Sequence, residues 1–546
     1  MHTTKQLFIW CLSCIVSSMS AQKITWEKSM GGKHAEYLAD VIPTADYGFL
    51  LAGSSLSGKT GTKDQNNKGN LDFWLWKMNE HGEPEWQKSY GGEAMDLLKT
   101  IAPTPDGGFI LGGDSFSDKG ADKTQPAYGQ ADYWILKLDA AGNLEWQRTI
   151  GSEGQEQIKK ILVTPDGYLI AGSSASSKAF DKTEENYGAL DYWVIKTDRK
   201  GTIQWQKTFG GSYNDILEDA IALPDGGFIL GGYSNSPSDG TKTATLNGMG
   251  DFWVLRIDKK GELLWQKSYG GAQDDHLTVL LLKTNGSLWM GGHSNSETDN
   301  DKTTANKQGT DIWLLQTDLD GVVQWQDTYN IGAYDLLSSI IDNKDGTYLL
   351  SGFAKGITQK KGANPLLDST KYKNGTADYV ALKINEKGDI LWDKSVGSEG
   401  EEVLVKTVLM RDGAYLMCGT SKAPTVLSMG KQTAAASKDR NTAIGSTDFW
   451  VVKLKDEQKP DTPKVLIDAY PNPALSYTNI AIGYDYTSGT ASVVDLSGKT
   501  LQRFDINGSR TIPVDLSNYP EGIYIVNIKT NVQNDGVKII KSSNKN

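Results

Sequence analysis

Along most of the chain, short apolar runs alternate with tight clusters of Gly, Pro, Asp and Asn. The stretch "YWILKL" (Tyr133 to Leu138) is apolar on both alternations, and "FWVLRI" (Phe252 to Ile257) repeats that pattern. A strand that is apolar on both sides must be covered on both, which points to sheets stacked face to face. From Asp96 to Gly151 the segments "DLLKTIAPT", "GGFILGGDS", "ADYWILKLD" and "NLEWQRTIG" follow one another. The turns "PDGG" and "DAAGN" join the first to the second and the third to the fourth, as short antiparallel hairpins require. These residues predict a four-stranded meander.

The meander recurs. Trp26, Trp86, Trp146, Trp205, Trp265, Trp325 and Trp392 each open a W-[EQD]-x-[ST] segment, spaced 60, 60, 59, 60, 60 and 67 residues apart. A second landmark, Asp followed by an aromatic residue or Ile and usually by Trp, falls at Asp72, Asp132, Asp191, Asp251, Asp311, Asp378 and Asp448. Fixed periods of this length are the mark of a repeat architecture. The first unit-like element, "ITWEKSMGG", is a copy of strand four alone, and the seventh unit stops after strand three, "DFWVVKLK". Ile24 to Ser29 is therefore expected to pair with Phe449 to Leu454 and cover two free edges. The fold expected is all-β: a seven-bladed β-propeller closed by an N-terminal strand, followed by a small C-terminal β-sandwich.

From Lys23 to about Lys455 the chain resembles bacterial β-propeller repeat proteins, whose units carry a similar W…GG…D, DG-[GY]-[FY] and D-[FY]-W layout. "LDAAGNLEW" and "TDRKGTIQW" are also similar to quinoprotein-type propellers, where the strand-four tryptophan docks neighbouring blades. That likeness implies packing and no quinone cofactor.

The opening "MHTTKQLFIWCLSCIVSSMSAQ" has Lys5, an apolar run and small residues ending at Ala21, and reads as a secretory signal peptide over residues 1–21. A lipoprotein signal ending at Cys14 is the rival reading. Cys418 is then the one remaining thiol, so no disulfide framework is expected. No later run has the roughly 20 apolar residues of a membrane-spanning helix. The net charge of -11 argues against a nucleic-acid partner held by a broad basic face.

Residues 22–455 form the repeat region and 456–465 a Lys-, Asp- and Pro-rich linker. The remainder, 466–546, carries "YPNP" (Tyr470, Pro471, Asn472, Pro473), "DLSGK" with Gly498, "YPEGIYIV" with Gly522, and "KIIK" (Lys538 to Lys541). In this order the motifs resemble the type A sorting domain of the Bacteroidota type IX secretion system. The resemblance implies delivery across the outer membrane by that machinery, with the protein released or anchored at the cell surface. The five residues "SSNKN" after "KIIK" depart from the usual ending.

Ten residues after each repeat tryptophan stands a carboxylate: Glu36, Asp96, Glu156, Asp215, Asp275, Asp335 and Glu402. Two readings apply: a ring of acids holding a cation such as Ca²⁺, or seven acceptors of backbone N–H groups in the crossover after the Gly-Gly turn. No other cofactor is expected. The loops between strands two and three carry G-x-S-x-S and are uniform in the first five units, then lengthen at Ile357 to Ala377 and Pro424 to Thr447. Those two loops are basic, with Lys360, Lys361, Lys371 and Lys373 in one and Lys431, Lys438 and Arg440 in the other. They are candidates for an anionic polysaccharide or glycan; solvation of long loops is the plainer reading.

His34, His81, His276 and His293 stand at unrelated repeat positions and offer no HExxH-type metal spacing. No catalytic residue is assigned. Two functions remain open: a surface binding or adhesion module, and a secreted polysaccharide-active enzyme working on the long-loop face.

Overall fold

The structure, a computed structural model, describes residues 22–356, 377–398, 400–422, 439–440, 443–458, 466–470, 472–474 and 477–542. Residues 1–21, Pro471 and most of the two long basic loops lie outside the described residues. Every regular element in the described chain is a β-strand. Among the described residues, seven four-stranded antiparallel sheets fall within 22–456, followed by one three-stranded and one four-stranded sheet.

The second sheet shows the plan. Its strands run Asp96–Pro103, Phe109–Ser115, Asp132–Leu138 and Leu144–Ile150, each paired with the next. The third strand is buried at every position, whereas the fourth starts exposed at Leu144. Both faces of the inner strands are covered by the neighbouring sheets, as an apolar run such as "YWILKL" demands.

Sheets are joined by an aromatic ladder that explains the D-[FY]-W landmark. Phe73 meets Trp134 at 5.0 Å, Tyr133 meets Trp193 at 5.2 Å, Tyr192 meets Trp253 at 4.8 Å and Phe252 meets Trp313 at 4.9 Å. The aromatic residue of one sheet thus packs on the tryptophan of the next. Contacts of this kind contribute about 0.5–1.5 kcal/mol each beyond the area they bury. Phe449 of the seventh sheet meets Trp74 of the first at 4.8 Å, and Leu416, Cys418 and Phe449 share one core with Leu38, Phe49 and Trp74.

The first strand of each of the seven sheets in residues 22–456 carries a bulge at one equivalent place, for example between Leu38 and Asp40 and between Leu98 and Thr100. Two residues beyond the bulge, a backbone N–H is taken up by a neighbouring sheet. The Ile101 N–H donates to Asp40 at 3.1 Å, the Leu280 N–H to Asp219 at 2.9 Å and the Thr407 N–H to Ser339 at 3.0 Å. Lys406 of the seventh sheet reaches Asp40 of the first at 2.6 Å.

Gln22–Met30 pairs antiparallel with Thr447–Asp456, Ile24 opposite Leu454 and Ser29 opposite Trp450. It is the fourth strand of a sheet whose other three strands come from the far end of the repeat region.

Residues 467–541 make two sheets, in strand order Ile467–Tyr470, Tyr477–Ile482, Thr511–Asp515, and Thr500–Ile506, Gly489–Asp495, Gly522–Thr530, Asn534–Lys541. Ile480, Val493, Val514 and Val526 are among the residues of its separate core.

Candidate binding face

In each sheet the turns between strands one and two and between three and four are tight. The connections from strand two to strand three are long and, in the first five sheets, share one construction.

Its base is the carboxylate ten residues after the repeat tryptophan. All seven, Glu36, Asp96, Glu156, Asp215, Asp275, Asp335 and Glu402, are 0% exposed. Each accepts the N–H of the residue four places earlier: Gly32, Gly92, Ser152, Gly211, Gly271, Ile331 and Ser398, at 2.6 to 3.0 Å. The loop serines donate to the same groups, as Ser117 does to Asp96 and Ser236 to Asp215, both at 2.9 Å. All seven acids are thus buried and hold the chain's own backbone, while Asp215 Oδ1 and Asp275 Oδ1 are buried without a hydrogen-bond partner among the described residues. Among the described residues no group of three or more His, Cys, Asp or Glu side chains is arranged to hold a metal ion.

The Asp that opens strand three holds the far end of the loop. Asp132 accepts the Tyr128 N–H at 2.8 Å and Asp251 the Asn247 N–H at 2.8 Å. Its second oxygen distinguishes the repeats. In Asp72, Asp132, Asp191 and Asp251 Oδ1 is buried without a hydrogen-bond partner among the described residues. In the fifth sheet Asn330, which replaces the first glycine of the Gly-Gly pair, donates to Asp311 Oδ1 at 2.7 Å. In the seventh, Arg440 and the Gly445 N–H donate to Asp448.

Under the loop lies a lysine. Lys63, Lys123, Lys182, Lys242 and Lys302 are 1 to 2% exposed. Lys63 Nζ donates to Ser55 Oγ at 2.9 Å, Ser57 O at 2.7 Å and Asn67 Oδ1 at 2.6 Å, and stands 5.7 Å over the Trp74 ring. Burial pulls Lys63 and Lys182 down to about 8, against the pull of nearby carboxylates. Burial likewise pushes Asp72 and Asp132 up to about 6 and Asp191 and Asp251 up to about 7; Asp96, Glu156, Asp215 and Asp275 respectively add like-charge repulsion. Sequence reasoning missed these lysines. Their signal is positional: each stands nine residues before the strand-three Asp.

A clamp closes the loop from outside. The Gln after the repeat tryptophan accepts the indole N–H of the paired strand: Trp134 to Gln147 at 3.0 Å, Trp253 to Gln266 at 3.1 Å. The same Gln147 donates to Asp122 O at 2.7 Å and accepts the Thr124 N–H at 3.1 Å. In the sheet that contains Gln22–Met30, Glu27 takes that place and accepts the Trp450 indole N–H at 2.8 Å.

Of the basic candidates, Lys360, Lys361, Lys371, Lys373, Lys431 and Lys438 lie outside the described residues. Arg440 is not a surface cation: it is 4% exposed and donates to Asp448 at 2.5 Å, Ser421 at 2.6 Å and Ser29 at 3.1 Å. A buried guanidinium needs such partners, and Arg440 takes up the strand-three Asp that a lysine neighbours elsewhere. Of the histidines, His276 and His293 stack at 5.0 Å beside Tyr233. A 640 Å³ cavity is lined mainly by the first strands, where Lys159 pairs with Glu218 at 2.5 Å and Lys160 with Asp219 at 2.8 Å.

In the C-terminal sheets, Asn472 ties the "YPNP" motif to the last strand. It donates to Lys538 O at 2.7 Å and accepts the Ile540 N–H at 2.8 Å. Lys541 donates to Leu516 O at 2.5 Å, Gly498 turns with φ +85, Gly522 opens a strand and Tyr470 is 62% exposed.

Residues 468–542 match the family of secretion system C-terminal sorting domains. The match indicates export across the outer membrane to the cell surface or extracellular space, and implies engagement of the type IX secretion machinery. Over 469 residues the chain is 23% identical to a regulatory protein, FlaEY, of Caulobacter vibrioides, covering 77% of this chain and 46% of that protein. The chain thus spans about half the length of that curated relative. Among solved structures, a fungal alcohol oxidase of the AA5 family in complex with copper aligns with 95% of this chain and 100% of its own, at 11% identity and TM-score 0.42. A puromycin hydrolase aligns with 73% of this chain and 61% of its own, at 11% identity and TM-score 0.36.

Proposed function

We propose that this protein is an exported seven-bladed β-propeller, closed by its own first strand, that acts outside the outer membrane as a binding or adhesion module. The reading is supported by the shared construction of the long loops. Acid, lysine, serine and glutamine side chains are spent on fixing backbone, and a rigid, preorganised loop surface loses little entropy when a ligand binds. Closure is supported by the pairing of Gln22–Met30 with Thr447–Asp456 and by the Phe449–Trp74 step of the aromatic ladder.

The ligand class inferred from sequence is an anionic polysaccharide or glycan meeting Lys360, Lys361, Lys371, Lys373, Lys431 and Lys438. Arg440 is excluded from that set by its burial. The test is a glycan array with the full mature chain, with release of reducing ends measured on the same panel. Retention without release supports the module; release from any glycan makes the protein an enzyme and overturns it.

A further inference from the structure

Two of the loop's variable positions decide which side chains it presents. One precedes the residue before the buried lysine: Gly61, Ala121, Phe180, Gly240 and Asn300. All five adopt left-handed backbone, with φ of 60, 48, 48, 57 and 46. Glycine and asparagine tolerate that conformation; a phenylalanine is strained in it. Phe180 is nevertheless 62% exposed, so neither backbone preference nor core packing accounts for its presence.

The second position is four residues before the strand-three Asp: Lys68, Tyr128, Tyr187, Asn247 and Lys307. Its backbone N–H is held by that Asp, as for Tyr128 and Tyr187. The second position of one loop meets the first position of the next. Tyr128 and Phe180 approach to 5.1 Å with planes 34° apart, and the Asn300 amide donates to Asn247 O at 3.2 Å. Tyr187 packs against Gly240, where an added Cβ would stand 3.1 Å from it. Tyr213, 58% exposed, sits beside the Tyr187 loop, its carbonyl accepting the Ala189 N–H at 2.9 Å.

We infer that Tyr128, Phe180, Tyr187 and Tyr213 form an aromatic platform, on the long-loop side of sheets two to four, that stacks the pyranose rings of a neutral polysaccharide. The inference rests on the binding-module reading and gives it a different site and ligand class from the basic loops. Between Phe180 and Tyr187 the chain sets Asp181, Glu184, Glu185 and Asn186, so hydrogen-bonding side chains separate these two rings along the loop. A protein partner's interface core calls for contiguous, charge-depleted apolar surface. A sugar ring, with apolar C–H faces and hydroxyl edges, matches rings set among hydrogen-bonding groups. The carboxylates on the same loop disfavour a polyanion.

The test is affinity electrophoresis of the full mature chain through gels containing laminarin, xyloglucan, galactomannan or starch, with alginate as the acidic comparison, at fixed salt. At least one neutral polymer is expected to retard the protein. Phe180→Gly, which installs the residue of Gly61 and Gly240, and Tyr187→Ala are each expected to weaken that retention about tenfold, the loss typical of a binding hot spot. Phe180→Gly does so without lowering the thermal midpoint, which separates recognition from folding. Unchanged retention in both variants overturns the platform and leaves the binding module standing. Retention by alginate alone overturns the platform in favour of the basic loops. Retention by none of the gels overturns the platform, and together with a blank glycan array removes the binding module as well.

Discussion

The Asn330 amide donates to Asp311 Oδ1 at 2.7 Å, filling a place that glycine leaves empty of side chain in the first four repeats. Asp72, Asp132, Asp191 and Asp251 keep the equivalent oxygen unpartnered among the described residues. The chain thus holds both versions of one junction. Asn330→Gly converts the fifth junction to the regular form and leaves a buried carboxylate oxygen unpaired. The cost expected is about 1–3 kcal/mol, read as a lower urea midpoint with an unchanged denaturant slope.

The buried aspartates set a pH dependence whose sign follows from their direction of shift. Asp72 and Asp132 stand at about 6 and Asp191 and Asp251 at about 7, all above the ordinary Asp value near 3.9. A group raised in the folded state contributes stability that is full below its unfolded pKa and is lost as pH rises through its folded pKa. Stability is therefore expected to increase as pH falls from 7.5 to 5, by about 1 kcal/mol or more in total. Below about pH 4, the unfolded value, the trend reverses, because Asp46 is held low by Lys77 and Asp106 by the Thr104 hydrogen bond and Lys137, and both release that stabilisation on protonation. Thermal melts across this range check the sign; a midpoint that falls steadily from pH 7.5 to 5 contradicts it.

Lys63 is the floor of its loop, and removing it tests whether the floor matters. Lys63→Met keeps the volume but deletes three hydrogen bonds and a positive charge that interacts with Asp72 and Glu36. Removing one member of a buried charged cluster costs about 3–5 kcal/mol. The first site of limited proteolysis is expected within residues 56–71, while the other repeats stay protected.

How much of this was legible in the sequence depends on what kind of residue carried the information. The tryptophan and Asp landmarks gave the strands because apolar alternation and turn residues are local signals, and Asp96–Pro103 and Leu144–Ile150 fall where the pattern put them. The lysines were not legible as core, since Lys63 reads as a solvated loop residue until Ser55, Ser57 and Asn67 converge on it. Arg440 misled for the same reason: a cation in a long loop looks exposed, and only the fold brings Asp448 and Ser29 to it. In the sequence Gln147 is only one letter of the W-[EQD]-x-[ST] segment. Its clamp joins Trp134 to Asp122 and Thr124, a relation across three segments that no local pattern expresses.

The C-terminal sheets have a core of their own, including Ile480, Val493 and Val526, so their removal need not unfold the repeats. Deleting Leu466–Asn546 is expected to leave a folded repeat region that fails to reach the surface and accumulates in the periplasm. Protease shaving of intact cells, with fractionation, measures it; unchanged surface delivery would rule out the sorting role.

The first strand tests closure most directly. Deleting Gln22–Met30 exposes Thr447–Asp456 as an unpaired edge that is buried at most of its positions in the intact chain. Such an edge invites pairing with other chains, so concentration-dependent association and a lower thermal midpoint are expected. Glu27→Gln separates pairing from charge, because glutamine holds the same place in the first five repeats and accepts the same indole proton, as Gln87 does from Trp74 at 3.1 Å. That substitution is expected to change stability by no more than about 0.5 kcal/mol. A truncated chain that stays monomeric and melts at the intact temperature would mean that the strand contributes nothing to closing the sheets, and the propeller reading would fall with it.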